Sequence, residues 1–196
     1  MKLLYYWLPA LLLLIACESE KHNEPPAETD PEPELQLSYK FYFGENDKEG
    51  WEKIMPGDKY GGSSSYGYDL NTTGEGNEPY FFSIDLPEGN YTVTVVMGNS
   101  AKATQTTIWS ESRRLMLESV ETAAGEFITR DFAVNTRNTR ITGTEHVAIK
   151  QPEEGKLNWD NKLTLEINGE SPGLLEMVVK EADIPSLFLA GNSTVT

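Results

Sequence analysis

Phe82-Ser83-Ile84-Asp85-Leu86-Pro87-Glu88-Gly89-Asn90-Tyr91-Thr92-Val93-Thr94-Val95 is the stretch whose reading decides the fold class. Apolar and polar side chains alternate through Phe82–Leu86 and again through Tyr91–Val95, the period-two pattern of strands with one covered face. Pro87 restricts φ and Gly89 admits positive φ, so the residues between the two runs predict a tight reversal and an antiparallel hairpin. Further runs rich in Val, Ile, Thr, Tyr and Phe predict strands at Tyr39–Phe43, Tyr80–Leu86, Tyr91–Met97, Thr104–Trp109, Leu115–Val120, Phe127–Val134, Val147–Ile149, Leu163–Ile167 and Leu174–Val179. No segment sustains apolar residues at helical spacing, and there is no internal repeat. Many short strands separated by Gly, Asn and Pro turns predict an all-β domain, a β-sandwich or jelly roll.

Around these strands, Gly57–Gly76 is dense in Gly, Ser and Asn, with Tyr60, Tyr66 and Tyr68 among them. That composition suits a long ordered surface loop of the kind that carries binding surfaces. Asn135–Thr144 and Gln151–Asp160 read as further connections. At the N-terminus, Met1-Lys2 precedes an apolar run from Leu3 to Ala16, shorter than the roughly 20 residues of a membrane span, which predicts a secretory signal. Leu14-Ile15-Ala16-Cys17 resembles the lipobox of bacterial lipoproteins. The resemblance implies that Cys17 is acylated and holds the exported protein on the bacterial outer membrane, on its periplasmic or cell-surface side. Glu18–Glu34 is Glu, Pro, Asp and Asn with almost no apolar side chains and predicts a solvated tether, leaving 35–183 for the sandwich. A formal charge of −15 argues against nucleic acid or anionic membrane as a partner, because phosphates are held by clusters of Lys and Arg. A neutral or weakly charged polymer remains open.

Phe82–Val93, Ser112–Met116, Leu157–Leu165 and Phe188–Val195, taken with Phe43-Gly44, resemble rhamnogalacturonan acetylesterases of the SGNH (GDSL-like) hydrolase superfamily. The resemblance implies a galactose-binding-like β-sandwich followed, over 184–196, by the first strand and nucleophile block of an α/β esterase domain. Ser193 stands at the family's nucleophile position, with its backbone N–H as one oxyanion donor. Asn192 stands where the family usually has Asp. A serine hydroxyl needs a base, and in the family that base is a His three residues after an Asp. His146 has Gly143 at that spacing and His22 lies in the tether, so neither fits. The expectation is an inactive chain whose missing partner is the remainder of the SGNH catalytic domain.

Pyranose rings stack on aromatic faces while Asn, Asp and Arg take their hydroxyls. Trp51, Tyr60, Tyr66 and Tyr68, with Asp58 and Asp69, are therefore the candidate sugar-binding residues, against the alternative that they cover the sandwich edge or pack on the missing domain. Arg113 and Arg114 are adjacent, so on a strand only one faces a given ligand. Trp109 and Trp159 are assigned to packing. Glu45-Asn46-Asp47 with Asp58 match no strict calcium motif and read as a solvated acidic loop, so neither metal nor cofactor is expected. Two functions remain: the accessory part of a pectin-directed carbohydrate acetylesterase, or a non-catalytic surface lipoprotein that binds plant cell-wall polysaccharide.

Overall fold

The computed structural model describes residues 37–187. Cys17, His22, Ser193, the signal at 1–17 and the tether at 18–34 therefore lie outside the described residues, as do 188–196. Ten strands run in chain order: β1 (Ser38–Tyr42), β2 (Glu52–Lys53), β3 (Tyr66–Asp69), β4 (Tyr80–Asp85), β5 (Gly89–Gly98), β6 (Thr104–Ser110), β7 (Arg114–Thr122), β8 (Phe127–Thr136), β9 (Lys162–Ser171) and β10 (Leu174–Glu181). They form two five-stranded sheets, ordered β2-β1-β10-β5-β8 and β3-β4-β9-β6-β7. All pairings are antiparallel except that of β1 with β2. This is an all-β sandwich; the described residues contain no α-helix, only a 3-10 turn at Gln151–Glu153.

The period-two pattern sets which side chains are covered. Tyr91, Val93, Val95 and Met97 of β5 and Met177 and Val179 of β10 are buried from one sheet. Phe82 and Ile84 of β4, Leu163, Leu165 and Ile167 of β9, and Ile108 of β6 are buried from the other. Phe41 of β1 bridges toward Phe82, their rings 5.3 Å apart and edge-on, an arrangement that aligns a ring's positive rim with its neighbour's negative face.

The predicted hairpin is wrong. β4 pairs with β3 and β9, whereas β5 pairs with β10 and β8, so Leu86–Gly89 is an arch between the two sheets. Alternation reports a covered face but not the neighbouring strand, and both runs cover their faces with the same core. Gly89 does not take positive φ; it opens β5, opposite Thr136. The arch is held instead by its polar groups. Pro87 O accepts from Tyr91 Oη and from Thr136 Oγ1, each at 2.8 Å, and the Leu86 N–H donates to Asn161 O at 3.1 Å.

Two other expectations change. Gly57–Gly76 contains an edge strand, β3, which pairs with β4 through Tyr68↔Phe82. Gly67 explains why composition hid it: its φ is +147°, and a Cβ there would stand 2.6 Å from the backbone of Lys59 and Tyr60. The glycine admits the loop's close approach, where the Tyr68 N–H donates to Asp58 O at 2.7 Å. Conversely, Val147–Ile149 is not a strand. That connection holds only the isolated bridges Arg140↔His146 and Asn138↔Trp159, and Val147 and Ile149 are half-buried with no sheet beside them.

Candidate functional site

The β4–β5 arch, the β6–β7 turn, the start of β9 and the exit from β10 share one end of the sandwich, because β5, β8 and β10 meet there in register at Gly89↔Thr136 and Glu181↔Tyr91. A cavity of about 250 Å³ opens at this end. Glu111 and Arg114 enter it from the β6–β7 turn, Asn135 and Arg137 from the end of β8, and Asn158, Trp159, Asp160 and Lys162 from the approach to β9. The turn and the approach to β9 are stitched together: the Ser112 N–H donates to Asn158 Oδ1 and the Leu157 N–H to Ser112 Oγ, both at 3.0 Å.

Local costs concentrate here. Glu111, Arg113 and Trp159 have φ of +53°, +72° and +64°, a region that disfavours L residues. The Ser110 hydroxyl is buried with no hydrogen-bond partner among the described residues. Glu111 is only 7% exposed, and burial pushes its carboxyl up to about 7. The Thr164 N–H, donating to Glu111 Oε1 at 3.1 Å, and the charges of Arg114 and Lys162 oppose that rise, while Asp160 adds to it. Strain and an uncompensated carboxyl persist where the surrounding structure enforces them, commonly at binding sites.

The basic groups are held in different ways. Lys162 Nζ pairs with Asp69 Oδ2 at 2.6 Å, and the Ser83 hydroxyl donates to the same oxygen at 2.7 Å; these donors hold Asp69 below its ordinary value against its burial. Arg114 and Arg137 converge on one neutral residue: Arg114 Nη1 donates to Asn135 O at 2.9 Å and Arg137 Nε to Asn135 Oδ1 at 2.9 Å. Desolvation and then the Arg114 charge lower the pKa of Arg137, whose guanidinium lies 6.0 Å from the Trp159 ring centroid. Asn135 Nδ2 in turn donates to Asn90 Oδ1 at 2.7 Å, and Asn90 Nδ2 donates to Ile184 O at 2.7 Å. The segment leaving β10 is thereby fastened to the rim, which brings Leu187 into the cavity wall.

The aromatics expected to bind sugar are not assembled. Tyr68 is 5% exposed and meets Tyr80 and Phe82 edge-on at 5.6 and 5.8 Å, so its ring is mostly core, and what remains open lines a different cavity, of about 420 Å³, with Phe43 and Tyr80. Tyr66 leans on Phe41 at 5.0 Å. Trp51 is covered on one side by Lys48, whose ammonium lies 3.8 Å from its ring centroid. Tyr60 alone comes near the cavity, through Lys162, 4.7 Å over its ring; its hydroxyl donates to Asp85 Oδ1 at 2.5 Å. The Lys53 ammonium donates to the backbone O of Glu45 at 2.6 Å and to Asp47 Oδ1 at 3.1 Å, and Asp58 Oδ2 accepts the Met55 N–H. Trp109 is half-buried on the outer face of its sheet, whereas Trp159, assigned to packing, lines the cavity. The available signal was Asn158-Trp159-Asp160-Asn161, one aromatic among hydrogen-bonding side chains between two strands.

No family model matches the chain, and no curated protein does. Among solved structures, 74% of the chain is similar to 40% of the Bacillus subtilis protein YxiM, at 19% identity and a TM-score of 0.47. The same share is similar to 18% of Bacteroides uniformis β-glucuronidase 2, solved covalently bound to cyclophellitol-6-carboxylate aziridine, at 11% identity and a TM-score of 0.44. A third, Arthrobacter globiformis T6 isomalto-dextranase complexed with panose, matches 61% of the chain over 21% of its own length, at 12% identity and a TM-score of 0.29. The chain thus spans less than half the length of each of these proteins.

Proposed function

We propose that the sandwich is a carbohydrate-binding module, the accessory part of an exported pectin-directed acetylesterase of the SGNH type. The observation that carries the reading is the cavity at the β4–β5 arch, where Trp159 stands among Glu111, Arg114, Asn135, Arg137, Asn158 and Asp160. An aromatic ring for the apolar face of a pyranose, ringed by donors and acceptors for its hydroxyls, is the chemistry of sugar recognition. At about 250 Å³ the cavity suits one sugar unit rather than a drug-sized ligand, whose clefts start near 300 Å³. Two stretches that carry the resemblance to rhamnogalacturonan acetylesterases, Ser112–Met116 and Leu157–Leu165, supply Arg114 and the run Asn158–Lys162.

The test is titration with a rhamnogalacturonan oligosaccharide, followed by tryptophan fluorescence and calorimetry. Trp159→Ala is expected to weaken binding by about tenfold or more, equivalent to roughly 1.4 kcal/mol, with the melting transition within a few degrees of wild type. Unchanged affinity in that variant would remove the cavity from the reading.

In this reading Cys17 carries the lipid anchor at the bacterial outer membrane, and Ser193 with its backbone N–H occupies the esterase's nucleophile and oxyanion positions. Each buried acyl CH₂ contributes about 0.8 kcal/mol, so a multiply acylated cysteine holds a soluble domain firmly. Cys17→Ser should therefore move the protein from the membrane fraction to the soluble one. Retention of the variant on membranes would show that something other than Cys17 anchors it.

A further inference from the structure

The end of the sandwich opposite the Trp159 cavity holds a larger one. β4 ends and β5 begins at the arch, so the start of β4, the end of β5, the start of β8 and the start of β10 lie together at the far end. There Phe43, Tyr68, Tyr80, Gly98, Phe127 and Leu174 wall the cavity of about 420 Å³. That volume falls within the roughly 300–1,000 Å³ of small-molecule sites, and no lining residue is shared with the Trp159 cavity.

Two buried tyrosines face this space with their hydroxyls uncommitted. Tyr68 is 5% and Tyr80 8% exposed, and their rings meet edge-on at 5.6 Å. The hydroxyls of Tyr60 and Tyr91 donate to Asp85 Oδ1 and Pro87 O, but those of Tyr68 and Tyr80 have no hydrogen-bond partner among the described residues. Ser110 Oγ alone among the described side-chain oxygens and nitrogens is both sealed from the surface and without a partner, so the two phenol hydroxyls reach the cavity that their residues line. Gly74 helps to keep one of them open: its φ is +70°, and a Cβ there would stand 2.3 Å from the Tyr68 oxygen. A buried hydroxyl without a partner costs stability that a phenylalanine would not lose, and two of them at one cavity point to a ligand that takes them up.

The lining sets the charge of that ligand. Burial raises the pKa of both phenols, Tyr68 to about 12 with a contribution from Asp58, and Tyr80 with one from Tyr68. Both therefore stay neutral O–H groups that donate and accept. Asn99 Oδ1 accepts the N–H groups of Ala101 and Lys102 at 2.8 and 3.1 Å, which fixes a further amide at the rim. The charged side chains of the lining are one acid, Glu45, and one base, Lys102, both exposed. An anion would need clustered cations and a cation would need clustered carboxylates, whereas a neutral hydroxyl, itself donor and acceptor, matches a phenol.

We propose that this cavity is a second ligand site, for a neutral sugar whose hydroxyls pair with those of Tyr68 and Tyr80 and whose ring packs beside Phe43 and Phe127. It goes beyond the reading of the Trp159 cavity, because the two sites stand at opposite ends of the sandwich and share no residue.

The experiment follows the ring signals of Tyr68 and Tyr80 by NMR in the full chain, assigned through Tyr68→Phe and Tyr80→Phe. The probes are two neutral disaccharides, lactose and cellobiose, and two charged dimers, digalacturonate and the glucosamine dimer. At about 10 mM, at least one neutral disaccharide should shift both signals saturably, and neither charged dimer should match it. The double variant Tyr68→Phe, Tyr80→Phe should bind that disaccharide about tenfold or more weakly, with its melting temperature unchanged or raised, because its hydroxyls have no protein partner to lose. Trp159→Ala should leave the shifts as they are. The second site is overturned by the absence of a saturable shift with both neutral disaccharides, by an equal or larger one with a charged dimer, or by unchanged affinity in the double variant. A melting temperature several degrees lower in the double variant would assign the hydroxyls to the fold and overturn it as well. None of these outcomes bears on the Trp159 cavity, which the rhamnogalacturonan oligosaccharide and Trp159→Ala decide.

Discussion

Phe82→Ala is expected to destabilise the sandwich by about 3–5 kcal/mol and to lower its melting temperature by roughly 10 °C. Phe82 has no exposed surface, pairs with Leu165 on one side and Tyr68 on the other, and is met edge-on by Phe41, Phe43 and Tyr68 at 5.3, 5.3 and 5.8 Å. Truncation loses the transfer energy of a benzyl group, the edge-to-face pairs, and the packing of the void left behind. Neighbours on β-strands cannot slide in to fill that void without breaking the ladder. Phe127→Ala is the matched control: the same atoms are removed from an edge strand at a residue 46% exposed, and the change should stay below about 1 kcal/mol. Thermal melts of both variants decide the matter, and a Phe82→Ala effect no larger than that of Phe127→Ala would remove Phe82 from the centre of the core.

The reason the strands are legible is visible in the same residue. Phe82, Ile84 and Leu86 alternate with chain whose outward groups vary, and burial of one face is a property that a single strand displays in its own sequence. Which strand lies alongside is a property of two segments, and Pro87–Asn90 points to the wrong one. A hairpin and an arch use the same short turn residues, and what separates them here is distant: Thr136, Asn161 and β10 supply the partners that fix Leu86, Pro87 and β5. β3 is hidden for a related reason, since Gly67 weakens strand propensity and its role appears only once the Asp58–Tyr60 backbone is seen folded onto it.

For the site, the sequence favours aromatics concentrated in one loop, but a loop rich in Tyr also serves as an edge of the core, and Tyr68 takes that role. The cavity instead draws on three connections separated by more than twenty residues, and only the approach to β9 carries an aromatic. Glu111 carries no signal of its own. Nothing in Ser110-Glu111-Ser112-Arg113 distinguishes a solvated turn carboxylate from one drawn under Thr164 into the sandwich end.

Glu111 makes the stability of the domain depend on pH, and Glu111→Gln should remove most of that dependence between about pH 4.5 and 7. The carboxyl titrates near its ordinary 4.5 in the unfolded chain and at about 7 in the folded one, with burial as the leading cause. Over that interval the native state binds more protons than the unfolded state, so stability falls as pH rises and levels off above about 7. At about 1.4 kcal/mol for each pH unit between the two values, the loss across the window is on the order of 3 kcal/mol. Glutamine keeps the oxygen that accepts the Thr164 N–H and supplies an amide donor in place of the acid's hydroxyl, without a charge that burial opposes. The variant should therefore match wild type near pH 4.5 and exceed it by up to about 3 kcal/mol at pH 8. Asp69, held below its ordinary value, acts in the other direction and at lower pH: its contribution is present above about 3.8, is lost as pH falls through its lower folded value, and is the same in both proteins. Urea titrations of the two proteins from pH 4.5 to 8, a range above the titration of Asp69 in both states, read the Glu111 contribution without that of Asp69, with the denaturant slope held in common. Curves that stay parallel across the window would place the Glu111 carboxylate in an environment that tolerates its charge, and the buried, proton-holding acid at the cavity wall would be lost with it.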